Sequence, residues 1–475
     1  MLFSTLPFVC LFLPTVVAAY FLLPATAHNA ILVAASVLFY AWDDPLALIP
    51  IGTSTIVNFH VGRRLGQIEE HRRRPLIAAA IAGNLLVLTV YKYTAFIFEN
   101  VNELLSVFTS WQLPHVRIPL ALGISFFTFH VISYLVDVYR GTVRPQQSLT
   151  TFALYMLNFP QMIAGPIIRY HYIENQLEKR PSGLSDVDAG ITRFVVGLVK
   201  KLVIADPIGA VADQLFAHQA EHLSAALAWT AAVSFGLQIY FDFSGYSDMA
   251  IGLARIFGFR FPENFNYPYA AVSIQDFWHR WHMTLSSWFR DYVYIPLGGN
   301  RFGAWSTARN LWLVFLLAGI WHGASWTFVA WGLWHGLFLA IERAKPVSAL
   351  LERAGILRHL YVLLVVLIGW VFFRAESLGE ALLMLRDMFG LSGQAGLDFP
   401  VSTVVSAPMA LLMLLASAMS APLWPAMKAA WPGLLGKADE GLPAAARAAC
   451  VAAAMVAVLA SMALAQQIPF LYFRF

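Results

Sequence analysis

Two short motifs set histidine among tryptophans: Phe277-Trp278-His279-Arg280-Trp281-His282 and Gly319-Ile320-Trp321-His322-Gly323. A neutral imidazole can enter an apolar site and still accept or give a proton near neutral pH, which suits buried acid–base chemistry. Full charges are dearer, roughly 2.5–3.5 kcal/mol each at the centre of a bilayer, so ionisable residues at that depth mark function. On a wheel of about 100° per residue, Trp278, Trp281, His282, Leu285, Trp288, Phe289 and Tyr292 share one stripe. Asp276, His279, Met283, Ser287 and Arg290 lie opposite. The spacing therefore predicts an aromatic face carrying His282 and a charged face carrying His279. The competing reading is an interfacial amphipathic helix, with tryptophans at headgroup level and His282 hydrogen-bonded in packing.

His322 is followed by Trp326, Trp331 and Trp334, with Gly319, Gly323, Gly332 and Gly336 allowing close backbone approach. His335 repeats the Trp-His-Gly pattern, but on one continuous helix it would point about 220° away from His322, which predicts separate sites. A single buried histidine also has a structural reading, as a satisfied hydrogen-bond donor. Between residues 238 and 248, Tyr240, Asp242 and Asp248 stand in an apolar run. These acids either line a cavity, meeting substrate or orienting a histidine, or are satisfied by backbone and tyrosines; the structural reading is preferred for Asp248. The turn Gly298-Gly299-Asn300-Arg301, near Arg290, offers backbone N–H groups and guanidinium charge to a phosphate, or simply joins two helices.

The elements that must position these residues are membrane helices. Of 475 residues, 59% are hydrophobic and only 12% charged, against about 25% charged in a soluble domain. The mean hydropathy is +0.65. The fold class expected is all-α and polytopic, because the apolar runs lack the short alternating strands of a membrane barrel. The net charge of +4 is assigned to basic cytoplasmic loops, not to nucleic-acid binding. Cys10 and Cys450 fall in apolar stretches, which predicts small packing residues and no disulfide. No charged residue precedes Asp43, so residues 2–23 read as a retained span and not a cleaved signal. Further spans are predicted at 30–42, 46–61, 75–91, 118–138, 151–168, 191–211, 227–241, 311–318, 325–341, 360–373, 401–419 and 444–465. Several are short or interrupted, so the expected total is about 11–13. Arg63, Arg64, Arg72, Arg73 and Arg74 outweigh Glu69 and Glu70, which places that loop in the cytoplasm and the N-terminus outside.

Prolines and glycines interrupt the middle of the chain: Pro160, Gly165, Pro166, Pro262, Pro268 and Pro296. Non-helical backbone at membrane depth is tolerated only inside protein or beside a water-filled cavity. One domain over 1–475 is expected, with N-terminal helices (1–157), a catalytic core (158–345) and C-terminal helices (346–475). The stretch 428–447 reads as a surface loop, and no internal repeat of the kind built into many transporters stands out.

Residues 238–252 (QIYFDFSGYSDMAIG), 277–286 (FWHRWHMTLS), 288–301 (WFRDYVYIPLGGNR) and 319–323 (GIWHG) strongly resemble the bacterial membrane-bound O-acyltransferase family. The likeness extends to 123–141 (GISFFTFHVISYLVDVYRG), 159–169, 369–376 (GWVFFRAE) and the tail 469–475, and so covers nearly the whole chain. The resemblance implies a ring of helices around a thinned centre with a tunnel across the bacterial inner membrane. It puts the family's invariant histidine at His322 and its second motif histidine at His282, and makes His279 dispensable. It implies acetyl-CoA as donor, with no permanently bound cofactor or metal. The acetyl group would go to a cell-surface or secreted polysaccharide such as alginate, reached directly or through a periplasmic or membrane-anchored acetyltransferase partner. His322 would act as general base, and His282 would orient a reactant or stabilise an oxyanion. Tyr240, Asp242, Trp281, Trp321, Arg290 and Arg301 would line the donor or substrate path.

Alternatives within the family transfer D-alanine to teichoic acid or acyl groups to peptidoglycan. Outside it, buried His and Asp residues would also suit a transporter or proton channel, or a haem-carrying redox protein.

Overall fold

The computed structural model describes the chain except residues 43, 115, 117, 120–122, 163–164, 219–222, 392–398, 431–443, 465–469 and 472–475. Among the described residues the regular elements are all helices. They form two compact units, one of residues 1–194 and 249–262, the other of 195–248 and 263–474.

The first unit opens with a π-helical turn, Phe8–Phe12, leading into α1 (Leu13–Leu22). Then follow α2 (His28–Ala41), α3 (Leu48–Gln67), α4 (Glu70–Ser106), α5 (Ile124–Tyr139), α6 (Leu149–Leu157) and α7 (Tyr170–Glu178). Cys10 and Cys450 are free and both exposed, so neither packs inside as the sequence suggested. The span expected over 151–168 is helical only to Leu157. Beyond it Pro160 and Pro166 leave the backbone without a helical ladder, and buried side chains take over the hydrogen bonding. Phe159 N–H donates to Ser36 Oγ at 3.0 Å, Ile168 N–H to His130 Nε2 at 3.1 Å, and Tyr155 Oη to the Ile168 carbonyl at 3.0 Å.

The boundary between units falls inside α8 (Leu184–Val199) and α10 (Ala225–Ile256). The second unit continues with α9 (Asp206–Ala217), α11 (Ile274–Arg280), α12 (Met283–Phe289), α13 (Gly303–His322) and α14 (Trp326–Glu342). After these come α15 (Lys345–Arg353), α16 (Leu357–Arg374), α17 (Leu378–Met388), α18 (Ala407–Met419), α19 (Leu423–Ala430) and α20 (Ala444–Leu464). The expected loop 428–447 is thus helical at both ends, and its middle lies outside the described residues, as does most of the tail motif.

Three described helices are long and apolar enough to cross a membrane: Glu70–Ser106, Leu357–Arg374 and Ala445–Ala463. Phe8–Leu22, Ala25–Ala41, Ile124–Tyr139 and Ala407–Met419 are shorter apolar helices. The 37 residues of α4 rise about 55 Å, well beyond the roughly 30 Å hydrocarbon layer.

A buried charge cluster organises the second unit. Lys201 opens toward it from a π-helical turn, Lys200–Ala205, and is 1% exposed. Its Nζ lies 2.7 Å from Asp206 Oδ1 and 2.7 Å from Asp242 Oδ1, and 4.7 Å from the Phe470 ring centre. The other oxygen of Asp242 accepts the Leu471 N–H at 2.9 Å. Lys200 pairs with Asp248 at 2.6 Å. Gly245 permits this approach, since a Cβ there would sit 2.9 Å from the Gly197 carbonyl oxygen.

Removing Lys201 takes the shared cation from two carboxylates, whereas removing Asp242 leaves Lys201 with Asp206. Lys201→Met should therefore lower stability by about 3–5 kcal/mol, and Asp242→Asn by clearly less. Thermal melts of both variants in nanodiscs give the order, and the reverse order would refute this assignment of charges.

Candidate active site

Helix α11 starts where Ser273 Oγ accepts the Asp276 N–H at 2.9 Å. The carboxylate of Glu342, from the end of α14, accepts the Ile274 and Gln275 N–H groups at 2.7 and 3.1 Å. A capping hydroxyl and an anion at a helix N-terminus both stabilise it. The helix then stops at Arg280. Trp281 is extended and His282 adopts a left-handed backbone, φ +43°, before α12 begins at Met283. The continuous wheel over 278–292 is therefore interrupted, and a further π-helical turn, Arg290–Tyr294, follows α12. The separation of faces survives in burial: Trp278, Trp281, His282, Leu285, Trp288 and Phe289 are buried, and His279 and Arg290 are exposed.

A non-glycine residue in the left-handed region costs about 1–2 kcal/mol, so something must hold it there. Asn264 does. Its Oδ1 accepts the Thr284 N–H at 3.2 Å and the Thr284 hydroxyl at 2.9 Å, and lies 3.1 Å from His282 Nδ1. Its backbone carbonyl accepts the Met283 N–H at 3.0 Å. Tyr267, on the same loop as Asn264, is the other described non-glycine residue with positive φ, at +45°. Because a carboxamide oxygen only accepts, Nδ1 of a neutral His282 carries the hydrogen and Nε2 presents the lone pair. Phe243 stands edge-on to the imidazole with ring centres 4.7 Å apart.

His322 closes α13 and is 7% exposed. The chain turns at Gly323, and Ser325 Oγ caps α14 by accepting the Thr327 N–H at 3.3 Å. This hairpin is glycine-dependent: a Cβ on Gly319 would sit 2.4 Å from the Phe328 carbonyl oxygen, and one on Gly332 2.3 Å from that of Phe315. His322 meets Trp321, Trp331 and Phe373 edge-on, with ring centres at 4.9, 4.9 and 5.3 Å. The separate-site expectation for His335 assumed one helix. The turn between α13 and α14 instead brings both histidines against Trp331, whose ring centre is 5.3 Å from that of His335. His335 is fully buried, and neither ring nitrogen has a hydrogen-bond partner among the described residues.

An unbroken wall of rings joins the two motif histidines. From Phe243 it runs to Trp281 at 6.3 Å, Trp370 at 4.9 Å and Phe373 at 5.6 Å, and so to His322. Tyr240 is part of this wall, 6.3 Å from Trp281. Asp242 belongs to the Lys201 cluster. Arg290 is exposed and holds both oxygens of Asp291, at 2.7 and 3.2 Å. Arg301 is exposed, and the Gly298 and Gly299 N–H groups are spent on the Ile295 and Tyr294 carbonyls at 3.0 and 2.9 Å. That turn is thereby a helix connection, clamped by Asn310 Nδ2 on the Leu297 and Gly299 carbonyls. Sequence reading missed Asn264, Thr284 and Phe243. The only signal for Asn264 was its place between Pro262 and Pro268.

This geometry can be set beside known proteins. The sequence profile of MBOAT, the membrane-bound O-acyltransferase family, matches residues 91–373, a span that includes both motif histidines. The chain is 41% identical over 416 residues to the probable alginate O-acetylase AlgI of Azotobacter vinelandii, covering 87% of this chain and 83% of that protein. Against the probable alginate O-acetylase AlgI of Pseudomonas aeruginosa it is 44% identical over 394 residues, 82% and 75% of the two chains. Against the peptidoglycan O-acetyltransferase of Helicobacter pylori it is 39% identical over 431 residues, 83% and 80%. The chain belongs to the membrane-bound O-acyltransferase family and is a membrane O-acyltransferase.

Proposed function

We propose that this protein moves acetyl groups from a cytoplasmic thioester, acetyl-CoA, across the bacterial inner membrane for O-acetylation of a cell-surface or secreted polysaccharide such as alginate. The observation that carries the reading is the joining of His282 and His322 through one aromatic wall, with His282 fixed by Asn264. The relatives named above act on alginate or peptidoglycan, both of which offer sugar hydroxyls. The wall would border a tunnel within a ring of helices, with the N-terminus outside and the donor arriving from the cytoplasm.

His322 acts as general base. It takes the hydroxyl proton as the oxygen attacks the thioester carbonyl, and the tetrahedral adduct collapses with cleavage of the C–S bond. The proton then passes to the departing thiolate, giving an O-acetyl ester and free CoA. The C-terminal end of α13 favours a transient positive charge on His322, because the last carbonyls of a helix carry partial negative charge. Asn264 supports a positioning role for His282: with Nδ1–H engaged, Nε2 is available to accept a hydrogen bond from the attacking hydroxyl and aim it. Aromatic packing around both rings limits wasteful hydrolysis. A periplasmic or membrane-anchored partner completes delivery to the polymer.

The test is the O-acetyl content of surface polysaccharide in cells that carry each variant in place of the wild-type chain, with membrane levels matched. His322→Ala should lose roughly 10²–10⁴-fold of the transfer rate, His282→Ala should be impaired, and His279→Ala should match wild type. Full acetylation with His322→Ala would sink the reading. Asn264→Leu strands buried donors at about 1–3 kcal/mol and should depress both stability and transfer, whereas Asn264→Asp keeps the acceptor and should retain more of each. Equal loss in both Asn264 variants would remove its positioning role.

A further inference from the structure

The last two turns of α3 carry a polar stripe: His60, Arg63, Arg64 and Gln67, at the i, i+3, i+4, i+7 spacing of one helix face. Together with Val61 and with Leu76 from the first turns of α4, they line an open, surface-facing cavity of about 430 Å³. No acidic residue lines it, and Arg63 and Arg64 are in no ion pair within the described residues. Arg63 Nε is buried without a hydrogen-bond acceptor, and its guanidinium stands 5.6 Å from the centre of the Phe59 ring. The opposite side of α3 is pinned. A Cβ on Gly62 would sit 2.5 Å from the Tyr134 ring, and one on Gly66 2.4 Å from Pro145. The stripe is therefore held facing the cavity.

Two guanidinium groups with no carboxylate, one of them with a buried unsatisfied donor, match the acceptor oxygens and charge of a phosphate. We propose that this cavity binds a phosphate group, carried either by the headgroup of an anionic phospholipid or by the nucleotide part of CoA. Both sources lie at hand at the turn between α3 and α4, where Arg63, Arg64, Arg72, Arg73 and Arg74 cluster on the two helix ends. The nucleotide source rests on the donor proposed above, whereas the lipid source stands without it.

The experiment compares wild type with Arg63→Ala/Arg64→Ala, with Arg64→Ala alone, and with Arg72→Ala/Arg74→Ala, which removes the same charge from exposed positions in the first turns of α4. Phosphatidylglycerol retained from mixed nanodiscs is counted by native mass spectrometry, and CoA binding is measured in phosphatidylcholine nanodiscs, with thermal melts confirming folding. One ligand should lose on the order of 30-fold in affinity in the double pocket variant and about fivefold in Arg64→Ala, with little change in the α4 variant. Loss of phosphatidylglycerol alone assigns the phosphate to lipid, and loss of CoA alone assigns it to the nucleotide. Unchanged binding of both, or equal loss in the α4 variant, overturns the proposal. Should the double variant fail to fold, Arg64→Ala decides between the same outcomes.

Discussion

One carboxamide oxygen holds the active region in shape. Asn264 Oδ1 gathers the His282 ring, the Thr284 amide and the Thr284 hydroxyl, and the Asn264 carbonyl adds the Met283 amide. Without it, the left-handed residue at His282 has no local reason to exist, since a helix continuing past Arg280 would be cheaper. With it, the chain changes direction between α11 and α12, and the His282 ring is fixed in both tautomer and orientation. The contacts are buried, so each is stronger than it would be in water, and each group is costly to strand.

The same constraint recurs across both units. Where the helical ladder fails, buried side chains replace it: Ser36, His130 and Tyr155 beside residues 158–168, Glu342 at the start of α11, Asn310 beneath the Gly298–Gly299 turn. Charges are treated alike. Lys201, Asp206 and Asp242 neutralise much of one another, and Asp242 also fastens the chain at Leu471. Glycines set how closely helices approach. Gly319 and Gly332 are the pair on which the position of His322 depends.

The sequence displayed the class of fold and the two motif histidines well. Composition alone demands membrane helices, and Trp-His pairs in an apolar chain have few uses. What it hid is tertiary. Residues 274–292 contain neither glycine nor proline, so periodicity runs smoothly through the break at His282; its cause lies eighteen residues upstream, in Asn264. His335 was set apart from His322 because three residues, Gly323 to Ser325, suffice to fold α14 back along α13, which spacing cannot reveal. The pairing of Lys201 with Asp242 and of Lys200 with Asp248 was invisible because those carboxylates are roughly forty to fifty positions away, beyond any helical repeat. The proline-rich breaks, by contrast, were visible directly, since proline cannot continue a helix.

The central claim is that His322 removes a proton during acyl transfer from a thioester. The most direct measurement is release of CoA thiol from acetyl-CoA by the purified protein in nanodiscs, supplied with acceptor, for wild type and His322→Ala of matched stability. The account predicts release by wild type and a fall of roughly 10²–10⁴-fold in the variant. Equal release by both would contradict it.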